Sequence, residues 1–237
     1  MTLRVDLHMH SCLSPCGDME MTPNNIVNMA WIKGLDAIAV ADHNRARHVR
    51  ACAAVAQERD LLVLPALEVT TREEVHVLCY FPRVELAEAF DDWLYQTLPA
   101  RQNRPAFFGE QALMDAQDVR IGEESRLLLQ ACGVSLAELA ARAREMGGLA
   151  VPAHINRPAD GLLGVLGLLP ADVDFPTLEV DPRMEMPPGV PLADHLVLHA
   201  SDAHTLEAIA EPGHLLEVPE RSVQALFDTL QRGKPGA

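Results

Sequence analysis

Six histidines and two carboxylates lie at or near the ends of short apolar runs, where their side chains could bind metal ions. In chain order they are His8, His10, His43, Glu68, His76, His154, Asp202 and His204. Residues i and i+2 of a strand point to the same side, so His8 and His10 can bind one ion. Asp202 and His204 can repeat this geometry if their segment is extended. Imidazole with carboxylate favours zinc, manganese or iron over calcium or magnesium. The pattern therefore predicts a metal centre.

The apolar runs that carry these residues predict the strands of an α/β fold. They span residues 3–8, 36–41, 61–69, 75–81, 149–154, 177–180 and 196–200. Their nearly continuous apolar character is typical of parallel strands that are covered on both faces. Helices are predicted to begin at Thr22-Pro23, at the capping box of Ser135 and Glu138, and at Pro219. In a barrel of such units, the strand ends meet at the rim that carries the active site.

One segment interrupts this alternation. Residues 83–134 contain helical patterns at 84–98 and 123–132, on either side of a stretch at 99–121 with no clear strand. We predict a single domain over residues 1–237 with a mostly helical insertion at about residues 83–134. An ordinary long connection between two elements is the alternative.

Composition restricts the possible partners and compartments. The chain has 237 residues, with 19 Lys and Arg against 34 Asp and Glu, and its formal net charge is −15. This charge opposes binding to long nucleic acid or to an anionic membrane. The five cysteines form no CxxC pair, and no signal-peptide pattern opens the chain. We therefore expect reduced thiols and a cytoplasmic location.

In order along the chain, the motifs resemble those of the polymerase and histidinol phosphatase (PHP) superfamily. They are DLHMHS, AVADHN, ALEVT followed by VHVLCYF, VPAHINRP and SDAH. The resemblance runs from Leu3 to at least His204 and implies a distorted (β/α)7 TIM-like barrel, an often trinuclear metal site and phosphoester hydrolysis. It implies a first ion at His8, His10, Glu68 and Asp202, a second at Glu68, His76 and His154, and a third at His43 and His204.

The resemblance also implies one more ligand for the third ion, from the loop after His10. Family members often read HSxxSDGxxxPEE, whereas this chain reads HSCLSPCGDMEMTPNN, three residues longer before the proline. Alignment back from Pro23 selects Asp18, and counting forward from His8 selects Cys16. We favour Asp18, because an alignment anchored on a helix is safer than counting into a lengthened loop. A thiolate at Cys16 would instead favour zinc.

A hydrolytic mechanism follows from such a centre. Two ions about 3.5–4 Å apart can bridge a hydroxide and hold the attacking and leaving oxygens. The chain has no GxSxG elbow and no P-loop, so this hydroxide is the expected nucleophile. Glu68 would bridge the ions, and Arg157 would bind phosphate through its guanidinium. The family resemblance implies that metal-bound water, His204 or His43 protonates the leaving group.

We therefore expect a metal-dependent phosphoesterase with two or three divalent ions, chosen among Zn, Mn and Fe. Its expected substrate is a small phosphomonoester or nucleotide, and we expect neither long nucleic acid nor a membrane as a partner. An exonuclease on short oligonucleotides and a non-catalytic metal-binding module are the alternatives.

Overall fold

The computed structural model describes residues 1–234, so the last three residues of the predicted domain lie outside it. The strands are β1 (Thr2–Met9), β2 (Ala37–Val40), β3 (Leu62–Val63), β4 (Ala66–Thr70), β5 (His76–Tyr80), β6 (Ala112–Met114), β7 (Arg120–Glu123), β8 (Leu149–Pro152), β9 (Thr177–Glu179), β10 (Leu196–Leu198) and β11 (Leu215–Glu217). The helices are α1 (Pro23–Ile32), α2 (Val49–Ala56), α3 (Val84–Thr97), α4 (Pro105–Phe108), α5 (Leu136–Glu145), α6 (Leu162–Leu166) and α7 (Val223–Arg232).

Within residues 1–234, the strands form four sheets of a mixed α/β fold. The first sheet has the order β11-β1-β2-β3, in which β1, β2 and β3 are parallel and β11 is antiparallel. Two isolated parallel bridges join Met9 of β1 to Ala203, which follows β10, and His43, which follows β2, to Glu68 of β4. The recorded pairings do not close the described strands into one ring. The α/β class is therefore confirmed, and the closed barrel stays a prediction.

The second sheet, β4-β5-β8, differs from the expectation of parallel strands. β5 runs antiparallel to both of its neighbours, with Thr70 opposite His76 and Val77 opposite Pro152. The first residue of β5 therefore lies at the end of the sheet where β4 and β8 finish. Because of this reversal, His76 lies at the same end of the sheet as Glu68 and His154, although His76 is the first residue of its strand.

Apolar residues on both faces of the strands explain why the sequence runs looked continuous. In β2, Ala37 and Ala39 belong to an inner cluster with Leu7, whereas Ile38 and Val40 pack in the cluster that includes residues of α1 and α2. A third cluster lies between the second sheet and helices α3 and α5. Burial on both faces holds each strand in place, and so fixes the position of the residues at its end.

Helix boundaries follow the capping signals closely. Thr22 caps α1, Ser135 and Glu138 form the predicted capping box of α5, and Ser222 caps α7. The last helix thus begins at Val223 rather than at Pro219, because the Ser222 side chain accepts a hydrogen bond from Ala225 N. No helix of residues 1–234 has the length and apolar character to cross a membrane.

The insertion at 83–134 is helical only in its first part. α3 agrees with the pattern at 84–98, but residues 99–121 contain the short α4 and β6, and β6 pairs with β7. The helix expected at 123–132 does not form. Instead, Gln111 Nε2 donates to the carbonyl oxygens of Glu124 and Arg126, and Asn44 Nδ2 donates to those of Leu128 and Gln130. Side-chain amides thus replace the hydrogen bonds that a helix would supply.

Candidate metal centre

Glu68, from β4, lies at the centre of the predicted ligands and is fully buried. Five histidine nitrogens surround its two carboxylate oxygens: His43 Nδ1 and His76 Nδ1 at 3.0 Å, His154 Nε2 at 3.2 Å, and His8 Nε2 and His10 Nε2 at 3.4 Å. A carboxylate approached from several sides by imidazoles can bridge two cations. The structure thus brings together the residues that the motifs select at the ends of β1, β2, β4 and β8 and the start of β5.

Asp202 completes the cluster from the segment after β10. Its Oδ1 lies 3.1 Å from His10 Nε2 and 3.4 Å from His8 Nε2. Its backbone N donates to the carbonyl oxygen of His8, so the segment is bound directly to β1. His204 follows two residues later, and its ring stacks on that of His10 with centroids 4.4 Å apart.

The backbone is strained at two of these residues. Asp202 has φ +50° and His154 has φ +28°, in the left-handed region that non-glycine residues avoid. Such conformations cost about 1–3 kcal/mol each and concentrate at functional sites. At Asp202 and His154, this conformation turns side chains from two different strand ends toward Glu68.

Three sets of ligand atoms in the described residues lie within 4.8 Å of one another and could each hold an ion. They are His8, His10 and Glu68; His43, Glu68 and His76; and His10, His43 and His204. The first set agrees with the first ion implied by the family resemblance. The other two place His43 beside Glu68 as well as beside His204.

The chemistry of the donors fits divalent transition metals. Buried atoms without a hydrogen-bond partner in residues 1–234 include His43 Nδ1, Glu68 Oε2 and Asp202 Oδ1. Buried polar atoms without partners are costly, and a cation between these nitrogen and oxygen donors would satisfy them. His204 Nδ1 lies 2.8 Å from the carbonyl oxygen of Asp202. Donation of that N–H leaves the lone pair of Nε2 free for an ion.

Burial and neighbouring charges together raise the pKa of one histidine of the cluster and lower the pKa of another. Burial lowers the pKa of His10, but hydrogen bonds and attraction from Asp202 and Glu68 outweigh it and raise the pKa to about 9. Burial and the charge of His10 lower the pKa of His43 to about 4. Burial also raises the pKa of Glu68, yet His76, His8 and His43 outweigh it and hold that pKa well below its usual value. Without metal, the cluster thus contains protons that an ion must displace.

A second group of side chains orients the predicted ligands. Glu179, the last residue of β9, is buried with Oε2 2.9 Å from His8 Nδ1. Ser14 Oγ lies 3.1 Å from His10 Nδ1 and donates to Asp42 Oδ1. Partners of this kind fix the tautomer and orientation of a metal-binding imidazole. The motifs did not select Glu179 or Ser14; the strand-end position that Glu179 shares with Glu68 is the signal that could have found it.

Asp18, the favoured third-ion ligand, is not brought into the cluster. It is exposed, and its Oδ1 accepts a hydrogen bond from the backbone N of Glu20. Cys16 instead lines a cavity of about 470 Å³ together with His43, Glu68 and His204. The lengthened loop turns at Gly17, whose N donates to Ser14 O, and this turn carries Asp18 past the cavity. Counting forward from His8 therefore identified the residue on the cavity wall.

Arg157 also lines this cavity, but it already contacts two carboxylates. Its Nη1 donates to Asp202 Oδ2 at 2.7 Å and its Nε donates to Asp181 Oδ2 at 2.9 Å. The guanidinium thus positions Asp202 in the present structure, and its predicted contact with phosphate stays a prediction. The catalytic roles of Glu68 and His204 likewise stay predictions.

No protein-family model and no curated protein matches the chain. Solved structures share its fold. Endonuclease Q of Pyrococcus furiosus superposes with a TM-score of 0.68 at 19% identity, covering 98% of this chain and 56% of that chain. A complex of Endonuclease Q with a 27-mer duplex substrate that has an abasic lesion at the active site gives 0.65 at 18% identity, with 98% and 57% covered. A two-domain protein of Bacteroides vulgatus with a predicted PHP-like metal-dependent phosphoesterase gives 0.58 at 19%, with 98% and 63% covered.

These likenesses show that the chain has the fold of PHP-like metal-dependent phosphoesterases and of Endonuclease Q. The resemblance inferred from the motifs is confirmed at the level of the fold. The chain spans little more than half the length of Endonuclease Q.

The comparison contradicts the expected partner. A net charge of −15 led us to expect a small phosphorylated substrate and no long nucleic acid. Endonuclease Q, a protein of this fold, holds a 27-mer duplex with a lesion at its active site. The net charge of a whole chain does not by itself predict the substrate class, because a bound substrate responds to the electrostatic potential near the site. Metal ions and nearby arginines determine that local potential.

Proposed function

We propose that the chain is a metal-dependent hydrolase that cleaves phosphodiester bonds in nucleic acid. One observation carries this proposal: Glu68 is fully buried with five histidine nitrogens within 3.4 Å of its oxygens, at the base of an open cavity. A purely structural carboxylate would need far fewer imidazoles. Their number and their unsatisfied atoms favour two or three divalent ions, with Glu68 as the bridging ligand.

Each predicted ligand has a distinct task in this proposal. His8, His10, Glu68 and Asp202 would hold one ion, and Glu68, His76 and His154 would hold the second. His43 and His204 face a third position, toward the cavity. When bound, the ions would supply Lewis acidity and activate water for attack at phosphorus.

The remaining residues of the cavity position this machinery. Arg157 holds Asp202 through Nη1 and presents positive charge to the space where a phosphate would enter. Glu179 and Ser14 fix the rings of His8 and His10. His8 and His10 are fully buried, whereas His43 and His204 line the cavity, so water would enter the centre from the cavity side.

The choice of nucleic acid rests on two supports. Endonuclease Q combines this fold with a DNA substrate, and the cavity here is lined by Glu68, His43 and Asp202 of the cluster. A non-catalytic metal-binding module would leave the cavity beside the cluster without a role.

The test is cleavage of labelled single-stranded and duplex oligonucleotides, and of bis(p-nitrophenyl) phosphate, before and after removal of metal. We expect activity to disappear with a chelator and to return with Zn, Mn or Fe. Asp202→Asn should abolish the activity, whereas Asp194→Asn, which removes the same charge at an exposed position, should retain it. Protein that binds two ions and cleaves none of these substrates would be a metal-binding module instead.

A further inference from the structure

A pair of aromatic rings projects from the insertion beside two arginines. Phe107 is 74% exposed, and its ring meets that of Phe108 edge to face with centroids 4.7 Å apart. The guanidinium of Arg104 lies 5.3 Å from the Phe107 ring centroid, and that of Arg101 lies 5.5 Å from the Phe108 centroid. We call these four residues the aromatic platform.

The positive charges of the two platform arginines are available to bind a ligand. Arg120 and Arg126, elsewhere in the insertion, are bonded to carboxylates or to backbone carbonyl oxygens. Neither Arg101 nor Arg104 has a carboxylate partner within 4.0 Å in the part of the chain that the structure describes. In a protein with a net charge of −15, two exposed arginines beside aromatic rings form a local site for an anion with a flat, apolar portion.

The platform is attached to the wall of the metal cavity by two routes. Gly109, directly after α4, packs so closely on the carbonyl of Pro15 that a Cβ atom would lie 1.9 Å from its oxygen. Pro15 precedes Cys16 of the cavity wall. On the other side, Leu127 N donates to Arg101 O, and Gln130, which also lines the cavity, donates to the carbonyl oxygen of Pro99.

We propose that the aromatic platform binds a single strand of nucleic acid that extends from the metal centre. Unpaired bases stack on Phe107 and Phe108, and the arginines pair with the phosphates between them. Stacking on exposed aromatic rings requires bases that are free of a partner strand, so the platform selects single-stranded or locally opened nucleic acid. The inference rests on the proposed function in one respect, since it names the form of nucleic acid that the same site would take.

Binding without cleavage tests the proposal. The probe is a fluorescein-labelled phosphorothioate oligodeoxythymidine of about 16 nucleotides, which resists hydrolysis, titrated against the metal-loaded protein by fluorescence anisotropy. We expect Phe107→Ala to weaken binding about 10-fold and Phe107→Trp to retain it, because loss of one stacked base has an effect of this size. The matched control is Trp31→Ala, because Trp31 is 53% exposed with the Arg59 guanidinium 5.7 Å from its ring, on helix α1.

The arginines have a separate readout. Each of Arg101→Ala and Arg104→Ala should lower the slope of log Kd against log salt concentration by about 0.7, as expected for one lost phosphate contact on a single strand. Phe107→Ala should leave this slope unchanged. An unchanged slope in both arginine variants would overturn their role.

Other outcomes would overturn the proposal while leaving the proposed function intact. These are equal affinity of the wild type and Phe107→Ala, an equal loss in Trp31→Ala, and tighter binding of a duplex of the same length than of the single strand. Conversely, single-strand binding that depends on Phe107 in a protein without hydrolysis would support the platform and contradict only the proposed function.

Discussion

The metal cluster and the aromatic platform are built on opposite principles. His8, His10 and Glu68 are fully buried at strand ends, whereas Phe107 is 74% exposed on a helix of four residues. Strands covered on both faces hold the cluster, and a few amide side chains such as Gln111 hold the insertion. If both proposals hold, the buried strand ends supply the chemistry and the insertion selects the form of the substrate.

The largest expected effect comes from removing the central charge of the cluster. Glu68→Gln should reduce hydrolysis to the level of metal-free protein, because one carboxylate contacts the ligands of every predicted ion. His204→Ala should retain measurable activity, since His204 contacts only the third position. The measurements are kcat/KM on bis(p-nitrophenyl) phosphate and metal content by plasma mass spectrometry, with circular dichroism as the control for folding. Equal residual rates in the two variants would contradict a bridging role for Glu68.

A smaller loss is expected from the residue that orients His8. Glu179→Gln should reduce metal affinity or activity by roughly 10–100-fold, which is the usual effect of a partner behind a metal-binding imidazole. Glu217→Gln is the matched control, because Glu217 also ends a strand but is exposed. An effect of similar size in both variants would indicate general loss of stability rather than positioning.

Protons should compete with the ions inside the cluster. Burial lowers the pKa of His10, yet Asp202 and Glu68 raise it to about 9, so the ring must lose its proton before it can bind metal. Metal affinity should therefore fall as the pH decreases below about 9, by up to about tenfold per pH unit for this proton. His43, whose pKa is about 4, should add no dependence between pH 6 and 8. Calorimetric titration with Zn²⁺ at several pH values measures this, and an affinity independent of pH would contradict it.

Sequence reasoning located most of the cluster because buried strands leave a strong pattern. The runs before Glu68 and His154 end at the residues that the structure brings together. His76 lies in the cluster because it begins an antiparallel strand. The direction of that strand depends on its pairing with residues that are distant in the sequence. Glu179 lies outside the motifs, and a lone carboxylate near a strand end is more often solvated than bonded to a ligand. Only the fold brings it to His8, 171 positions away in the chain.

The insertion could not be predicted in the same way. Its apparent helix at 123–132 is replaced by irregular chain that Gln111 and Asn44 hold through long-range hydrogen bonds. The net charge of the whole chain concealed the local charge of Arg101 and Arg104. Patterns along the sequence therefore describe regular, buried elements well and side-chain-supported loops poorly.

The smallest expected effect lies at the boundary between the two regions, on the loop that contains both candidate third-ion ligands. Cys16→Ala should lower zinc content by about one ion per chain or weaken that ion selectively, because zinc favours thiolate and Cys16 lines the cavity with His43 and His204. Asp18→Ala should leave metal content unchanged, since its exposed carboxylate is bonded to Glu20 N. Metal analysis and zinc titration of the two variants compare them directly. The opposite result would be loss of an ion in Asp18→Ala with full occupancy in Cys16→Ala. It would show that this loop rearranges when metal binds, so that the metal-free geometry does not identify the third-ion ligand.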